Sequence, residues 1–152
     1  MVEYLKGKVR GVQMNDAKNT AEQKTVPMPV PEKVSIPLFQ YAGASEQILV
    51  ERGDEVTIGQ KIADGSHPFA VPIYSSVCGE VTGIQSLVMP TGKRSDTIEI
   101  TTNGEELMCA ELTPPVITDH ASLVKAVHDS GMVGLGGAGF PTHVKLNPKN
   151  LD

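Results

Sequence analysis

The chain of 152 residues contains no tryptophan, and only three tyrosines and three phenylalanines. Its core must therefore be built from Val, Ile and Leu. There are two cysteines, Cys78 and Cys109, and no Cys-x-x-Cys pair. That excludes a zinc ribbon or an iron–sulfur cluster assembled from this chain alone. Two reduced, partly buried thiols are the simplest reading. No run of about 18 apolar residues occurs, so no membrane-spanning helix is expected. The opening stretch MVEYLKGKVRGVQMND lacks the apolar centre of a signal peptide. Positive charge is not in excess either. The formal net charge is −5, which argues against a nucleic-acid partner, since a phosphate backbone selects a basic face.

What is present is turn chemistry. Fifteen glycines and eleven prolines stand among 39% hydrophobic residues. This composition points to short strands joined by tight turns, not to a helical bundle. Residues 1–33 read as a polar arm ending in Val26-Pro27-Met28-Pro29-Val30-Pro31, whose alternating prolines favour an extended path. Residues 34–114 read as one β domain. Its expected strands cover 34–38, 48–50, 55–58, 61–63, 70–74, 79–84 and 97–101, with Asn103-Gly104 as a turn. Gly53-Asp54-Glu55-Val56 and Gly79-Glu80-Val81-Thr82 echo one another, as in a fold of two interlocked halves. Pro114-Pro115 marks a boundary. Thr118 is then placed to cap a helix running to about Ser130, with Leu123, Val124 and Val127 as its apolar stripe. Gly131 stands where a C-terminal glycine cap belongs.

Two motifs carry the functional content. Gly53-Asp54-Glu55-Val56-Thr57-Ile58-Gly59-Gln60-Lys61-Ile62, followed by Pro72 to Ile84, resembles the barrel-sandwich hybrid fold of biotinyl and lipoyl domains. A carrier domain needs a modifiable lysine at the hairpin tip between the halves. The stretch Ala63-Asp64-Gly65-Ser66-His67-Pro68-Phe69-Ala70 has none, and Lys61 falls inside a strand. A covalent biotin or lipoate carrier is therefore rejected, and a docking or scaffold role is favoured. The second motif is Gly134-Leu135-Gly136-Gly137-Ala138-Gly139-Phe140-Pro141-Thr142-His143-Val144-Lys145-Leu146. It lacks the βαβ context of a dinucleotide fingerprint and the Gly-Lys-Ser/Thr of a P-loop. Glycines at this density let backbone N–H groups approach an anionic or planar ligand, and Lys145 adds a positive charge. His67, His120, His128 and His143 share no metal-ligand spacing and are expected at the surface, so no metal site is expected. No catalytic residue is assigned within the chain, and Cys78 reads as a structural thiol.

The glycine motif resembles the flavin-binding loop of RnfC, the C subunit of the Rnf-type electron transport complex. It is also similar to the GRGGAGFPT loop in the flavin subunit of respiratory complex I. Val34 to Gln40, Gly43-Ala44, the GDxVxxGQxI run and the hairpin at Val77 to Val81 extend the likeness over residues 30–152. The resemblance implies a mainly β fold. A barrel-sandwich hybrid comes first, then a helix and the glycine loop (115–152) that opens a truncated α/β FMN-binding domain. It implies Gly134, Gly136, Gly137 and Gly139 as backbone positions lining FMN. Lys145 would touch the flavin or its phosphate, and Phe140 would lie on the nicotinamide side. The implied chemistry is hydride transfer from NADH to FMN, then single electrons to 4Fe-4S clusters encoded past Asp152. Expected partners are other electron-transfer subunits or an acceptor reductase, and the expected location is cytoplasmic, peripheral to a membrane through those partners. Lys8-Val9-Arg10-Gly11-Val12 stands where the family carries Gly-Gly-(Ile/Val)-His-Pro. That departure points to a divergent soluble branch, such as the RnfC-like protein associated with proline reductase. With the rest of the pocket and the cysteine clusters lying past Asp152, the chain alone is expected to be inactive and to bind FMN weakly or not at all. The alternative is a stand-alone barrel-sandwich scaffold without catalysis.

Overall fold

The computed structural model describes residues 17–43 and 47–148. The arm's Lys8–Val12 segment lies outside them. Residues 24–31 form no helix or strand and are exposed up to Val30. The arm is first held at its end, where the Thr102 hydroxyl donates to the Pro31 carbonyl at 2.6 Å. Seven strands then build the sandwich: β1 (Lys33–Pro37), β2 (Gln47–Ile48), β3 (Glu55–Val56), β4 (Lys61–Asp64), β5 (Ile73–Tyr74), β6 (Gly79–Val88) and β7 (Arg94–Thr102). One sheet has the order β1-β7-β6-β3 and the other β2-β4-β5. Every pairing in both sheets is antiparallel.

The core lies between the two sheets. Val56, Val81, Ile98 and Ile100 from the first meet Ile62, Ala63 and Ile73 from the second, with Leu38 and Val50 closing the ends. It is purely aliphatic, as the scarcity of aromatics requires. Ile62, Ile98 and Ile100 are fully buried, each worth roughly 1.5–3 kcal/mol relative to exposure. The two echoing segments prove to be neighbours. β3 and β6 pair through Glu55 with Glu80 and Val56 with Gly79, and the Gly53 amide donates to the Val81 carbonyl at 2.8 Å. Asp54, Glu55 and Glu80 are exposed at this turn.

Several elements differ from the sequence expectation, each for a local reason. The 70–74 strand shrinks to Ile73–Tyr74. Pro72 has no N–H to give a ladder, and the Val71 N–H goes instead to the Tyr41 hydroxyl at 3.0 Å. The 55–58 strand stops at Val56, because Ile58 turns to a parallel bridge with Met108. β6 and β7 run well past the expected 79–84 and 97–101, forming an extended hairpin that projects beyond the core. A register shift between Val81 and Gly83 bends it. Gly92, at φ +78°, closes its turn. Asn103-Gly104 makes only a bend, with the Asn103 side chain accepting from the Glu105 N–H.

After the sandwich comes α1 (His120–Asp129). Asp119, not Thr118, is its N-cap. Asp119 is the extended residue, and its carboxylate accepts from the Ser122 N–H at 2.7 Å, while the Ser122 hydroxyl accepts from the Asp119 N–H. Gly131, at φ +68°, follows the helix as expected. The apolar stripe is only partly used. Leu123 is exposed and no residue of α1 is fully buried, because the helix packs against a single turn of helix and not against the core. The chain then makes β8 (Val133–Gly134), β9 (Phe140–Pro141) and that turn, α2 (Thr142–Lys145).

Candidate functional site

The glycine motif folds as a two-residue ladder with a five-residue loop. Val133 pairs with Pro141 and Gly134 with Phe140. The Gly139 N–H donates back to the Gly134 carbonyl at 3.2 Å, and the Gly137 N–H approaches the same oxygen at 3.5 Å. The four glycines divide into two pairs. Gly139 has φ +68°, and a Cβ there would stand 2.9 Å from the Tyr41 Cα. A Cβ on Gly134 would stand 2.8 Å from Lys145 Nζ. Gly139 is a glycine because the fold is tight, whereas at Gly134 only the flexible end of the Lys145 side chain stands in the way. Gly136 and Gly137 have no atom within 4 Å of the corresponding point and no positive φ. The fold itself does not demand glycine at either.

Lys145, on α2, lies across this ladder. Its ammonium is 5.7 Å from the centroid of the Phe140 ring, and among the described residues no carboxylate pairs with it. The structure thus brings Gly134, Phe140 and Lys145 together, and leaves Gly136 and Gly137 on the open rim.

The sandwich holds the loop from below. The hairpin tip at Ser66–Phe69, where a carrier domain would bear its lysine, docks onto it. Phe69 packs edge-to-face on Phe140, with centroids 5.8 Å apart. His143 Nε2 meets the Pro68 carbonyl at 3.1 Å. The Ala42 N–H donates to the Gly139 carbonyl at 3.1 Å. Tyr41 is 5% exposed, and its hydroxyl bridges the Val71 N–H and carbonyl. Sequence reasoning missed Tyr41, Phe69 and His143 because these contacts are non-local. One signal was available: of only three phenylalanines, two follow glycine- or proline-rich turns.

His143 and His128 are half-buried, not surface residues. Their rings meet edge-to-face at 4.8 Å, and His143 Nδ1 is buried without a partner. Among the described residues, no group of three or more His, Cys, Asp or Glu side chains is placed to hold a metal. Cys78 is buried, its thiol donating to the Leu107 carbonyl at 3.1 Å, and Cys109 is also a free thiol. Among the described residues, no helix is long and apolar enough to cross a membrane.

Lys61 is fixed in β4 by an ion pair with Asp64 at 2.8 Å. Burial pushes the Asp64 carboxyl up, but the Lys61 ammonium and the Gly65 N–H together outweigh it and hold the group below its usual range. The same contact raises Lys61. A lowered carboxylate stabilises the fold above its unfolded pKa of about 4 and loses that contribution as pH falls through the folded value. The raised lysine contributes below its unfolded pKa and loses it at higher pH. Asp64→Asn should therefore flatten the fall in melting temperature as pH drops below about 4. Parallel falls in the two proteins, followed by circular dichroism, would show that the pair contributes nothing.

These features define a barrel-sandwich hybrid of the lipoyl and biotinyl type whose hairpin tip carries no lysine and supports a glycine loop instead. The chain belongs to the RnfC barrel sandwich hybrid domain family, whose model matches residues 7–105. It is similar to the C subunit of the Na(+)-translocating ferredoxin:NAD(+) oxidoreductase complex of Acetobacterium woodii, 34% identical over 119 residues, or 76% of this chain and 27% of the relative. It is likewise similar to the C subunit of the proton-translocating ferredoxin:NAD(+) oxidoreductase complex of Clostridium ljungdahlii, 33% identical over 91% of this chain and 31% of the relative. The C subunit of the ion-translocating oxidoreductase complex of Rhodobacter capsulatus is 35% identical over 84% of this chain and 25% of the relative. The chain thus spans about a quarter to a third of the length of these relatives.

Proposed function

We propose that the chain is the N-terminal part of an NADH-linked electron-transfer flavoprotein, an RnfC-like component of an oxidoreductase complex. In this reading the sandwich docks and positions, and the glycine loop lines FMN. The observation that carries it is the pair Gly136 and Gly137. Neither turn geometry nor packing requires glycine there, so a ligand approaching the backbone is the remaining physical reason. The residues fit one wall of such a site. The open backbone at 136–137 admits a flat ring, and Lys145, with no carboxylate partner among the described residues, offers a cation for a phosphate. Phe140 presents an aromatic face beside it. When bound, FMN would supply the conversion of a hydride from NADH into single electrons for iron–sulfur clusters.

The names of the relatives support a place beside other electron-transfer subunits. In this reading the chain sits in the cytoplasm, peripheral to the membrane through those subunits. The test is the cofactor content of the product of the natural gene. Purified anaerobically, it should carry FMN and iron–sulfur clusters and reduce ferricyanide with NADH. A product with neither cofactor would overturn the flavoprotein reading. It would favour the second reading, a scaffold module, for which the self-contained aliphatic core of the sandwich speaks.

A further inference from the structure

After β7, residues 103–112 pass beside Ile58 and Cys78 as a strap. Backbone bonds hold it in place. The Ile58 N–H donates to the Leu107 carbonyl at 3.0 Å, and the Cys109 N–H donates to the Ile58 carbonyl at 2.8 Å. The buried Cys78 thiol donates to the same Leu107 carbonyl. The side chains of the strap do the opposite of its backbone and face water, with Leu107 58% and Met108 59% exposed. Val30, at the held end of the arm, is 55% exposed. Between arm and strap lies a groove of about 450 Å³, lined by Val30 from one and Met108 from the other, with Val77 and Cys78 beneath. Glu105 and Glu106 also line it. Both are exposed, and among the described residues no cation pairs with either.

We propose that this groove docks a peptide segment of a partner subunit in which Lys or Arg stands beside large apolar side chains. The proposal rests on the docking role of the sandwich, names the face that performs it, and is independent of the glycine loop. Apolar side chains held out to water beside charged ones mark an interaction surface. The strap's backbone is already fixed, so little ordering cost falls on this side of the contact. Met108 gives that surface a soft, adaptable wall. The charge of the rim selects the partner. Two carboxylates without a cation are complementary to a basic segment. They repel an anionic lipid surface and a phosphate backbone. A two-fold contact with a second copy would set this face against itself, glutamates included. A small ligand is poorly served too, because the one buried polar side chain lining the groove, the Cys78 thiol, is already committed.

The test places the photo-crosslinker p-benzoylphenylalanine at position 108 of the natural gene's product, within its native complex, and sequences the crosslinked peptide. Matched sites at Val88, on the long hairpin, and Leu49, beside β2, sample other faces of the sandwich. Position 108 should capture a Lys- or Arg-containing apolar segment of a different subunit. Glu105→Lys with Glu106→Lys should cut that yield by about tenfold or more, since like charges across an interface are strongly unfavourable. Salt at about 0.5 M should lower it as well. Capture of an acidic segment, of a second copy or of this chain itself would overturn the proposal, as would a yield that ignores the charge reversal. Capture of another subunit from Val88 or Leu49 with position 108 silent would overturn this face and leave the docking role standing. No capture of another subunit from any of the three sites would overturn both.

Discussion

Gly79→Ala is expected to lower the melting temperature by about 6–12 °C. Gly79 has φ +156°, and a Cβ there would stand 2.0 Å from the Thr101 carbonyl oxygen and 2.9 Å from the Thr102 Cα. These are backbone atoms, so no side chain can swing away to relieve the overlap. The glycine sits where β6 is flanked on both sides, opposite Thr102 of β7 and Val56 of β3. Relief must therefore pull open the ladder to β7 or the ladder to β3, next to the buried Val56, Val81 and Ile100. Overpacking of this kind costs about 1–3 kcal/mol, and backbone overlap puts this site at the upper end. At roughly 2–4 °C per kcal/mol for a chain of this size, and against a total stability of about 5–15 kcal/mol, the fold should persist with a clearly lowered midpoint. Gly83→Ala is the matched control. It lies in the same strand, has no positive φ, and its nearest neighbour to a Cβ is the Glu99 carboxylate at 3.7 Å. Circular dichroism melts of the two variants decide the point. If Gly79→Ala melts within about 3 °C of Gly83→Ala, the corner between β3 and β6 is more plastic than its geometry implies.

How much of this could be read beforehand follows the range of each interaction. The turn glycines announce themselves locally, since Gly53, Gly59 and Gly131 all take the positive φ that glycine tolerates. The aliphatic core followed from the near absence of aromatics. The long β6–β7 hairpin did not, because Ser86 and Gln85 interrupt any apolar alternation and the strand past Val81 faces water on both sides. Its length comes from pairing alone. The loss of the strand at 70–72 was equally hidden. It depends on Tyr41 committing its hydroxyl to Val71, a contact between segments that no window of sequence joins. The same division runs through the site. Gly134 to Lys145 form one local motif and were legible as such. The supports beneath it, Phe69, Pro68 and Tyr41, come from two other segments. Only the fold of the sandwich brings them there.

Gly139→Ala is expected to release the glycine loop from the sandwich without unfolding the sandwich itself. A non-glycine residue at φ +68° costs about 1–2 kcal/mol. The added methyl would also meet Tyr41 Cα at 2.9 Å and Cβ at 3.1 Å, an overlap worth about 1–3 kcal/mol. Tyr41 cannot yield, because it is buried and its hydroxyl is committed at both ends of Val71. The loop can. It is joined to the sandwich here by the bond from the Ala42 N–H to the Gly139 carbonyl, so the strain should appear as local opening. Hydrogen exchange of the Ala42 amide should speed up by about 30-fold or more, tenfold for each 1.4 kcal/mol, while the Ile98 amide keeps its protection. Gly137→Ala supplies the contrast, since nothing lies within 4 Å of its Cβ position, and exchange should be unchanged throughout. Equal acceleration in both variants would mean that the loop needs all its glycines for its own conformation. The argument that Gly136 and Gly137 exist for a ligand would then lose its footing, whatever the family likeness suggests. Acceleration in Gly139→Ala alone would leave the two open glycines without a structural reason, and a flat ring against the backbone as the physical explanation for them.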